Sequence, residues 1–515
     1  MADDMGFSDI GCYGGEIRTR ILDSLAERGL RFRQFYNGAR CCPTRASLLT
    51  GLYAHQAGVG HMMGRYLKDG EPLPAYEGSL NDNCVTIAEA LSAAGYTTLM
   101  SGKWHVTPAV DRTKEEPTDK SDWPLQRGFD RFFGTIHGAG SFYDPVTLTL
   151  DNEPIRPEAD DQFYYTTSIG RYAVKFLHEA PPDKPFFLYL PFTAPHWPLH
   201  APKEDVDKYR GDYEGGWDKL REDRHARMIE MGVVKQEWGL TPRDESVPAW
   251  EDAENKDWEA RRMEVYAAQV TLMDEAIGEV VYKLQESEQF NDTLILFLAD
   301  NGGCAENLSP REKSTALHQP EQTLDGRPVK LGNRPDDMPG QDDDYMSYAT
   351  PWANASNTPF RLYKHWVHEG GISSPLIAHW PAGISQQGEW TDEPSHLIDI
   401  MATCLDVAGA DYPSHATPLE GRPLTPLFAG GDRDSHDAIY WEHEGNRAVR
   451  QGKWKLVSRR HAPEEGRWEL YDLEADRTEM HDLAADMPER VDELATLWQA
   501  WADKVGVVEW RSWDS

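Results

Sequence analysis

The sequence predicts an α/β protein: a large, mostly parallel sheet sandwiched by helices, followed by a smaller C-terminal α+β domain carrying an antiparallel sheet. Three observations predict it. Short, continuously apolar runs such as residues 293–299 (Thr-Leu-Ile-Leu-Phe-Leu-Ala) read as strands covered on both faces. These runs alternate with segments of helical spacing, as in strand–helix–strand units. From about Asp434 onward the texture changes to polar–apolar alternation, the pattern of antiparallel strands with one wet face.

Taken in order, residues 85–94 have helical spacing, Gly95 stops the helix, and residues 96–100 read as the next strand. Residues 185–192 (Pro-Phe-Phe-Leu-Tyr-Leu-Pro-Phe) form a buried strand, and residues 263–284 a long amphipathic helix leading into the strand 293–299. Residues 375–379 make a short strand ending at Trp380-Pro381. Two segments interrupt the alternation: a highly charged helical insertion at about 202–262, and a polar loop at 304–357 containing Asp342-Asp343-Asp344. In the C-terminal part, residues 448–457 and 468–472 read as antiparallel strands and 488–505 as a terminal amphipathic helix. The domain division expected is therefore 1–430 and 431–515.

Lys and Arg number 52 against 87 Asp and Glu, a net charge of −35 over 515 residues. That field excludes nucleic acid as a partner, because phosphate neutralisation needs clustered cations. It also argues against an anionic membrane surface, although a local site can still oppose it and hold a small anion. No run approaches the ~18 apolar residues of a membrane span. The six cysteines are too sparse for a disulfide scaffold and show no zinc-like spacing, so most read as buried free thiols. The opening Met1-Ala2-Asp3-Asp4-Met5-Gly6 reads as the end of a strand and not as a leader. Localisation is therefore unassigned: periplasmic or secreted if the start has been trimmed, otherwise cytoplasmic.

Four clusters follow or lie near the carboxyl ends of expected strands, where open α/β sheets place their ligands. The first is Asp3-Asp4; the second is Asp300-Asn301-Gly302, directly after the strand 293–299. Together they offer three carboxylates and one amide oxygen, hard donors that suit Ca²⁺ or Mg²⁺ and not Zn²⁺. The third runs Cys41-Cys42-Pro43-Thr44-Arg45-Ala46-Ser47-Leu48-Leu49-Thr50-Gly51. The fourth is basic: Ser101-Gly102-Lys103-Trp104-His105, Ala194-Pro195-His196, and Lys364 ahead of Glu369-Gly370-Gly371-Ile372.

The third cluster resembles the signature of the type I sulfatases, within the alkaline phosphatase superfamily: Cys-x-Pro-x-Arg followed by Leu-Thr-Gly. The Gly-Lys-Trp-His, Ala-Pro-His and Lys-before-Glu-Gly-Gly motifs are similar to others of that family, in its order. The likeness runs from Asp3 to Glu469-Leu470-Tyr471-Asp472, nearly the whole chain. Three departures stand out. No strand precedes Asp3; Ser373 and Ser374 follow Gly-Gly-Ile where the family often has Arg; and Thr44 stands where Ser is commoner.

The resemblance implies an alkaline-phosphatase-like fold and an arylsulfatase-like sulfuric ester hydrolase. It implies that Cys41 is converted to Cα-formylglycine by a formylglycine-generating enzyme. It further implies Ca²⁺, with Mg²⁺ as the alternative, held by Asp3, Asp4, Asp300, Asn301 and the modified residue 41. The chemistry is coherent. A hydrated aldehyde offers one hydroxyl as a cation-activated nucleophile, with Asp300 taking its proton. The second hydroxyl lets sulfate be expelled afterwards, with His105 as base. Lys103, Lys364 and His196 would hold the sulfate oxygens, Lys364 or His196 would protonate the leaving alcohol, and Arg45 would orient the aldehyde. Two other readings compete: a phosphonate or phosphate ester hydrolase using the same site, and a non-catalytic binder of sulfated glycans. The alcohol, aryl or carbohydrate, is not legible. Pocket walls are expected from 304–357 and from His137-Gly138-Ala139-Gly140-Ser141-Phe142-Tyr143-Asp144, whose aromatic pair either stacks on a ring or fills a core.

Overall fold

The apolar runs become strands of one broad layer. The computed structural model describes residues 1–68, 70–108, 119–157, 163–310, 320–460 and 466–510. Its principal strands are β1 (Leu30–Tyr36), β2 (Thr97–Ser101), β3 (Arg131–Thr135), β4 (Leu148–Leu150), β5 (Phe186–Tyr189), β6 (Ile295–Leu298) and β7 (Ser373–His379). β8 (Ile439–His443), β9 (Asn446–Gln451), β10 (Trp454–Ser458) and β11 (Trp468–Asp472) follow. The main helices are α1 (Arg20–Glu27), α2 (Cys41–Thr50), α3 (Ile87–Ala93), α4 (Tyr165–Glu179), α5 (Gly216–Glu230), α6 (Lys256–Glu286), α7 (Ala349–Ser356), α8 (Glu369–Ile372), α9 (Asp399–Ala408) and α10 (Pro488–Val505).

One half of the layer runs β4-β3-β2-β5, and the other runs β6-β7-β1 with short strands beyond β1. Residues 1–3 join them. Ala2 N–H donates to Leu298 O (2.9 Å), Asp300 N–H to Ala2 O (3.1 Å), Phe192 N–H to Met1 O (2.9 Å) and Asp3 N–H to Ala194 O (3.1 Å). Residues 1–3 thus lie between the ends of β5 and β6, with Ala2 in an isolated parallel bridge to Ala299.

β2 is parallel to β3 and β5, and Ala2 to Ala299, whereas β4 opposes β3 and β7 opposes both β6 and β1. This direction of β7 matters for the site. The carboxyl ends of β1, β2, β5, β6 and residues 1–3 share one edge, and the amino end of β7 lies on that same edge. Lys364 therefore reaches it from before its strand, while the other candidate residues reach it from after theirs.

Alternate residues of the strands face opposite cores, as the pleat requires. Leu99, Phe297 and Ile377 pack with α1, α4 and α6 on one face; Met100, Leu298, Leu376 and Ala378 pack with α2, α3 and α9 on the other. α3 begins on a reciprocal cap: Thr86 N–H donates to Glu89 (2.7 Å) and Glu89 N–H to Thr86 Oγ1 (3.0 Å).

Three elements differ from expectation. The charged segment 202–262 carries α5 and a short turn at Lys203–Val206, and its last seven residues already belong to α6. The apolar face of α6 begins earlier than periodicity alone indicates, because Trp258 and Ala260 are buried. The 304–357 segment ends in α7, and Lys330–Leu331 pairs with Asp344–Tyr345; its residues 311–319 lie outside the described ones.

A separate C-terminal domain carries the antiparallel meander β8-β9-β10-β11, with α10 packed on it. Trp498 Nε1 of α10 donates to Trp441 O at 3.0 Å, and Trp501 stacks on Tyr440 with ring centroids 5.2 Å apart. Among the described residues, no helix is long and apolar enough to cross a membrane.

Candidate active site

The site gathers where strands end. Chain reversal after β1 brings Cys41 to the first turn of α2, a helix buried along its whole length and closed by Gly51 in the left-handed region. Thr44 ties this turn to the end of β6: its hydroxyl donates to Asp300 O (2.6 Å) and accepts from Gly38 N–H (2.9 Å). The Thr that departs from the commoner Ser thus makes both bonds a hydroxyl can offer here. After β2, Gly102 adopts φ 135°, and a Cβ there would lie 1.9 Å from Pro191 O, so only glycine lets the chain turn Lys103 inward.

All the candidate residues meet. Lys103 Nζ makes a short ion pair with Asp3. Arg45 Nη2 lies 2.8 Å from Asp300 and 3.3 Å from Asp3, and its Nη1 donates to Lys103 O at 3.0 Å. Asp4 accepts from Lys364 Nζ (2.8 and 2.9 Å) and from Asn301 Nδ2 (2.7 Å), while its own N–H donates to Asp300 Oδ1 at 3.2 Å. His196 Nε2 is 3.3 Å from Asp4 and 3.4 Å from Lys364 Nζ. Sulfur atoms of Cys41 and Cys42 and a His105 ring nitrogen lie within 4.8 Å of one another. Asp3, Asp4, Lys103, His105, His196, Asp300, Asn301 and Lys364 are all buried.

Burial dominates the electrostatics. It pushes the Asp300 carboxyl up to about 8, and the neighbouring Asp3 adds to the rise against Arg45 and Lys103. Asp3 is also raised by burial, despite Lys103 and Arg45. For Asp4 burial works the same way, but His196 and Lys364 overcome it and hold it well below the usual carboxylate range. Burial lowers His196 to about 4 and takes His105 well below its ordinary value, so both imidazoles are neutral at ordinary pH. Burial pulls Lys364 down, but Asp4 together with Cys304, Glu306 and Cys41 takes it well above its ordinary value. The Cys41 thiol goes down, first through its hydrogen bond with Cys42 and then, against burial, through Lys103, His105 and Lys364.

The donor set fits a hard divalent cation. Asp3 Oδ1 and Asn301 Oδ1 are buried oxygens with no hydrogen-bond partner, an arrangement that leaves acceptor capacity unused at a cost of ~1–3 kcal/mol each. Once a divalent ion had drawn the proton from Asp300, the three carboxylates would be matched by Arg45, Lys103 and Lys364, and the ion would leave the cluster two charges positive. A local surplus of that kind holds an anion inside a chain of net charge −35.

Sequence reasoning did not find several residues that shape this site. Glu306 accepts from Trp197 Nε1 (2.9 Å) and pairs with Arg40 (3.2 Å), next to Cys41. Asn357 accepts from Gly303 N–H at 2.9 Å and holds the turn after Asn301. Gly138 lies against the His105 ring, where a Cβ would come within 2.1 Å of Cε1. Only the Gly-rich composition of 137–140 hinted at it. Ser373, where an Arg was expected from the resemblance, accepts from Arg477 Nη2 at 2.8 Å, so the C-terminal domain supplies a guanidinium there. The aromatic pair at 142–143 divides. Phe142 is fully buried against Tyr164, whereas Tyr143 lines a cavity of about 140 Å³ with Asp144, Phe163, Thr323 and Asp342.

Known proteins resemble this chain along nearly its whole length. A family model described as sulfatase matches residues 1–410, and one described as the C-terminal part of N-sulphoglucosamine sulphohydrolase matches 360–501. An uncharacterised sulfatase of Schizosaccharomyces pombe is 33 % identical, over 99 % of this chain and 93 % of the relative. An arylsulfatase of Klebsiella aerogenes is 33 % identical, over 83 % and 89 %. A protein solved in complex with its substrate D-glucosamine-2-N,6-O-disulfate has the same fold, with a TM-score of 0.62 at 20 % identity over 100 % of this chain and 99 % of that one.

Proposed function

The chain belongs to the sulfatase family, enzymes that hydrolyse sulfate esters, and from that premise we propose that it uses a formylglycine made from Cys41 together with a bound Ca²⁺. Asp3, Asp4, Asp300 and Asn301 would hold the cation beside residue 41. Bound there, the cation would neutralise the carboxylates and acidify a hydroxyl, which a hydrated aldehyde at residue 41 would supply. Mg²⁺ competes on the same oxygen donors.

The chain's own residues do the rest. Lys103, Lys364 and His196 bind sulfate oxygens. Trp197 O can only accept, so its 2.6 Å contact with His196 Nδ1 places the His196 proton there and leaves Nε2 as an acceptor facing Lys364. Lys364, charged and paired with this acceptor, is the proton donor for the leaving alcohol, with His196 positioning it. His105, neutral and with Nδ1 free of hydrogen bonds, is the base. Arg45 orients residue 41 and binds Asp300. The domain division proposed is 1–430 for the catalytic domain and 431–515 for the small C-terminal one.

The observation that carries this reading is the meeting of Cys41 with three buried carboxylates, Asn301, Arg45 and two lysines at one sheet edge. A peptide mass spectrum over residue 41, from protein made with the maturation enzyme present, should show the aldehyde. Unconverted cysteine in active protein would refute the nucleophile. Asp300→Ala should lose Ca²⁺ binding and activity together; retention of both refutes the metal assignment. Aryl sulfate is the first substrate to assay, given the K. aerogenes relative, and amino-sugar sulfates the second. A phosphonate diester or aryl phosphate turned over orders of magnitude faster would favour the phosphorus-ester reading.

A further inference from the structure

A second group of ligand-type side chains lies outside the sulfate cluster. It is assembled from three distant pieces of chain: His61 in the loop after α2, His365 directly after Lys364, and His443-Glu444 at the tip of the β8–β9 hairpin. We propose that His61, His443 and Glu444 form a tetrahedral Zn²⁺ site, completed by water and buttressed by His365.

The geometry supports the ion. His61 Nδ1 and His443 Nε2 lie 3.5 and 3.6 Å from Glu444 Oε1, and all three ligand atoms fall within 4.8 Å of one another. With metal–ligand bonds of ~2.1 Å, adjacent ligands are ~3.4 Å apart around a tetrahedral ion but only ~3.0 Å apart around an octahedral one. Both His–Glu444 spacings match the tetrahedral value. They are too long for hydrogen bonds, and both ring nitrogens of His443 and Nδ1 of His61 have no hydrogen-bond partner although both side chains are at least nine-tenths buried. Two buried imidazoles pointing lone pairs at a carboxylate, unbonded, are costly unless a cation sits between them.

The surroundings are those of a ligand set. Glu444 Oε2 is bonded by His365 Nδ1 at 2.6 Å, the kind of outer contact that orients a metal-bound carboxylate. Glu444 and Gly445 both take positive φ (52° and 79°) in the two-residue hairpin loop, and Gly445 N–H is pinned to Glu442 at 2.8 Å, so the tip is rigid. His365 N–H donates to Ala39 O at 2.8 Å, beside Arg40 and Cys41. Arg40 is the opposing charge nearby, and it is engaged by Glu306 at 3.2 Å. Burial keeps His61 at about 4 and His443 well below its ordinary value, so their nitrogens are available to a metal at neutral pH. Imidazole and carboxylate donors suit Zn²⁺, where the oxygen-only cluster suits Ca²⁺. An ion here would clamp the C-terminal hairpin to the segment carrying Lys364.

The test uses full-length protein, stripped of metals, returned to excess Ca²⁺ and titrated with Co²⁺ alone. Wild type should develop the intense visible bands of tetrahedral cobalt, saturating at one equivalent and bleached by Zn²⁺. Glu444→Gln and His443→Ala should each abolish them, and His365→Ala should weaken binding by ~10- to 100-fold. Glu444 is at a hairpin tip, so its Gln variant keeps the fold and decides the matter even if His443→Ala does not fold. Absence of tetrahedral bands in wild type overturns the proposal. Bands that persist in Glu444→Gln also overturn it, since they would come from Cys41, Cys42 and His105, whose thiolates add a near-ultraviolet charge-transfer band.

Discussion

Replacing Arg477 by Met tests how the C-terminal domain holds the catalytic segment. Arg477 is fully buried; its Nε lies 3.2 Å from Glu369 and its Nη2 donates to Ser373 Oγ. Glu369 opens the short helix α8 that follows Lys364, and it is also gripped by Lys455 at 2.9 Å. Burial alone would raise the Glu369 carboxyl, but Lys455 and then Arg477 bring it from 4.5 down to about 2. That difference corresponds to about 3 kcal/mol of preference for the charged form in the folded protein. Loss of Arg477 removes a charge-assisted hydrogen bond to Glu369 worth ~1.5–3 kcal/mol and leaves buried partners unpaired. Met keeps the stem that packs near Phe360, where the guanidinium carbon sits 4.9 Å from the ring centroid.

The expected destabilisation is therefore ~2–4 kcal/mol at pH 7, read by urea unfolding of the Ca²⁺-loaded protein through the C-terminal tryptophans. Because the folded value is depressed, this stability is present above the unfolded value of 4.5 and is lost as pH falls through about 2. The gap between wild type and variant should accordingly narrow across that window. A gap below ~0.5 kcal/mol at pH 7, or one constant with pH, refutes the reasoning.

Three further predictions concern the site. Thr44→Val leaves Asp300 O and Gly38 N–H without their partner and should cost ~1–3 kcal/mol by denaturant midpoint, with weaker Ca²⁺ binding, whereas Thr44→Ser should recover most of both. Lys364→Ala should lower kcat/KM for an aryl sulfate by ~10²- to 10³-fold; a loss under threefold would remove it from the reaction. Chelation of Ca²⁺ from protein held at 100 times its Kd should cost ~2.7 kcal/mol of stability, visible as a lower melting temperature, and activity should return with Ca²⁺.

Much of the site was legible because its chemistry is carried by short contiguous strings. Cys41 to Arg45 lie within one helical turn of each other, and Asp300-Asn301 follow an apolar strand directly, so the family's motifs could be matched there residue by residue. The terminal helix Pro488–Val505 matched its expected limits, since its periodicity is uninterrupted and Pro and Gly506 mark its ends. The 304–357 segment did not announce α7, because Ala349–Ser356 is buried nearly all round and shows no polar face to mark a period.

Sequence by itself determined which residues could do acid–base, nucleophilic and cation chemistry, since that depends on functional groups and on neighbours a few positions away. Only the tertiary structure decided that residues 1–3 bond to the ends of both β5 and β6, that antiparallel β7 delivers Lys364 to the edge reached by the parallel strands, and that Arg477 bonds Ser373. Those pairings join residues from 78 to 298 positions apart, and they are set by sheet order and by the packing of two domains, quantities to which no local pattern of side chains responds.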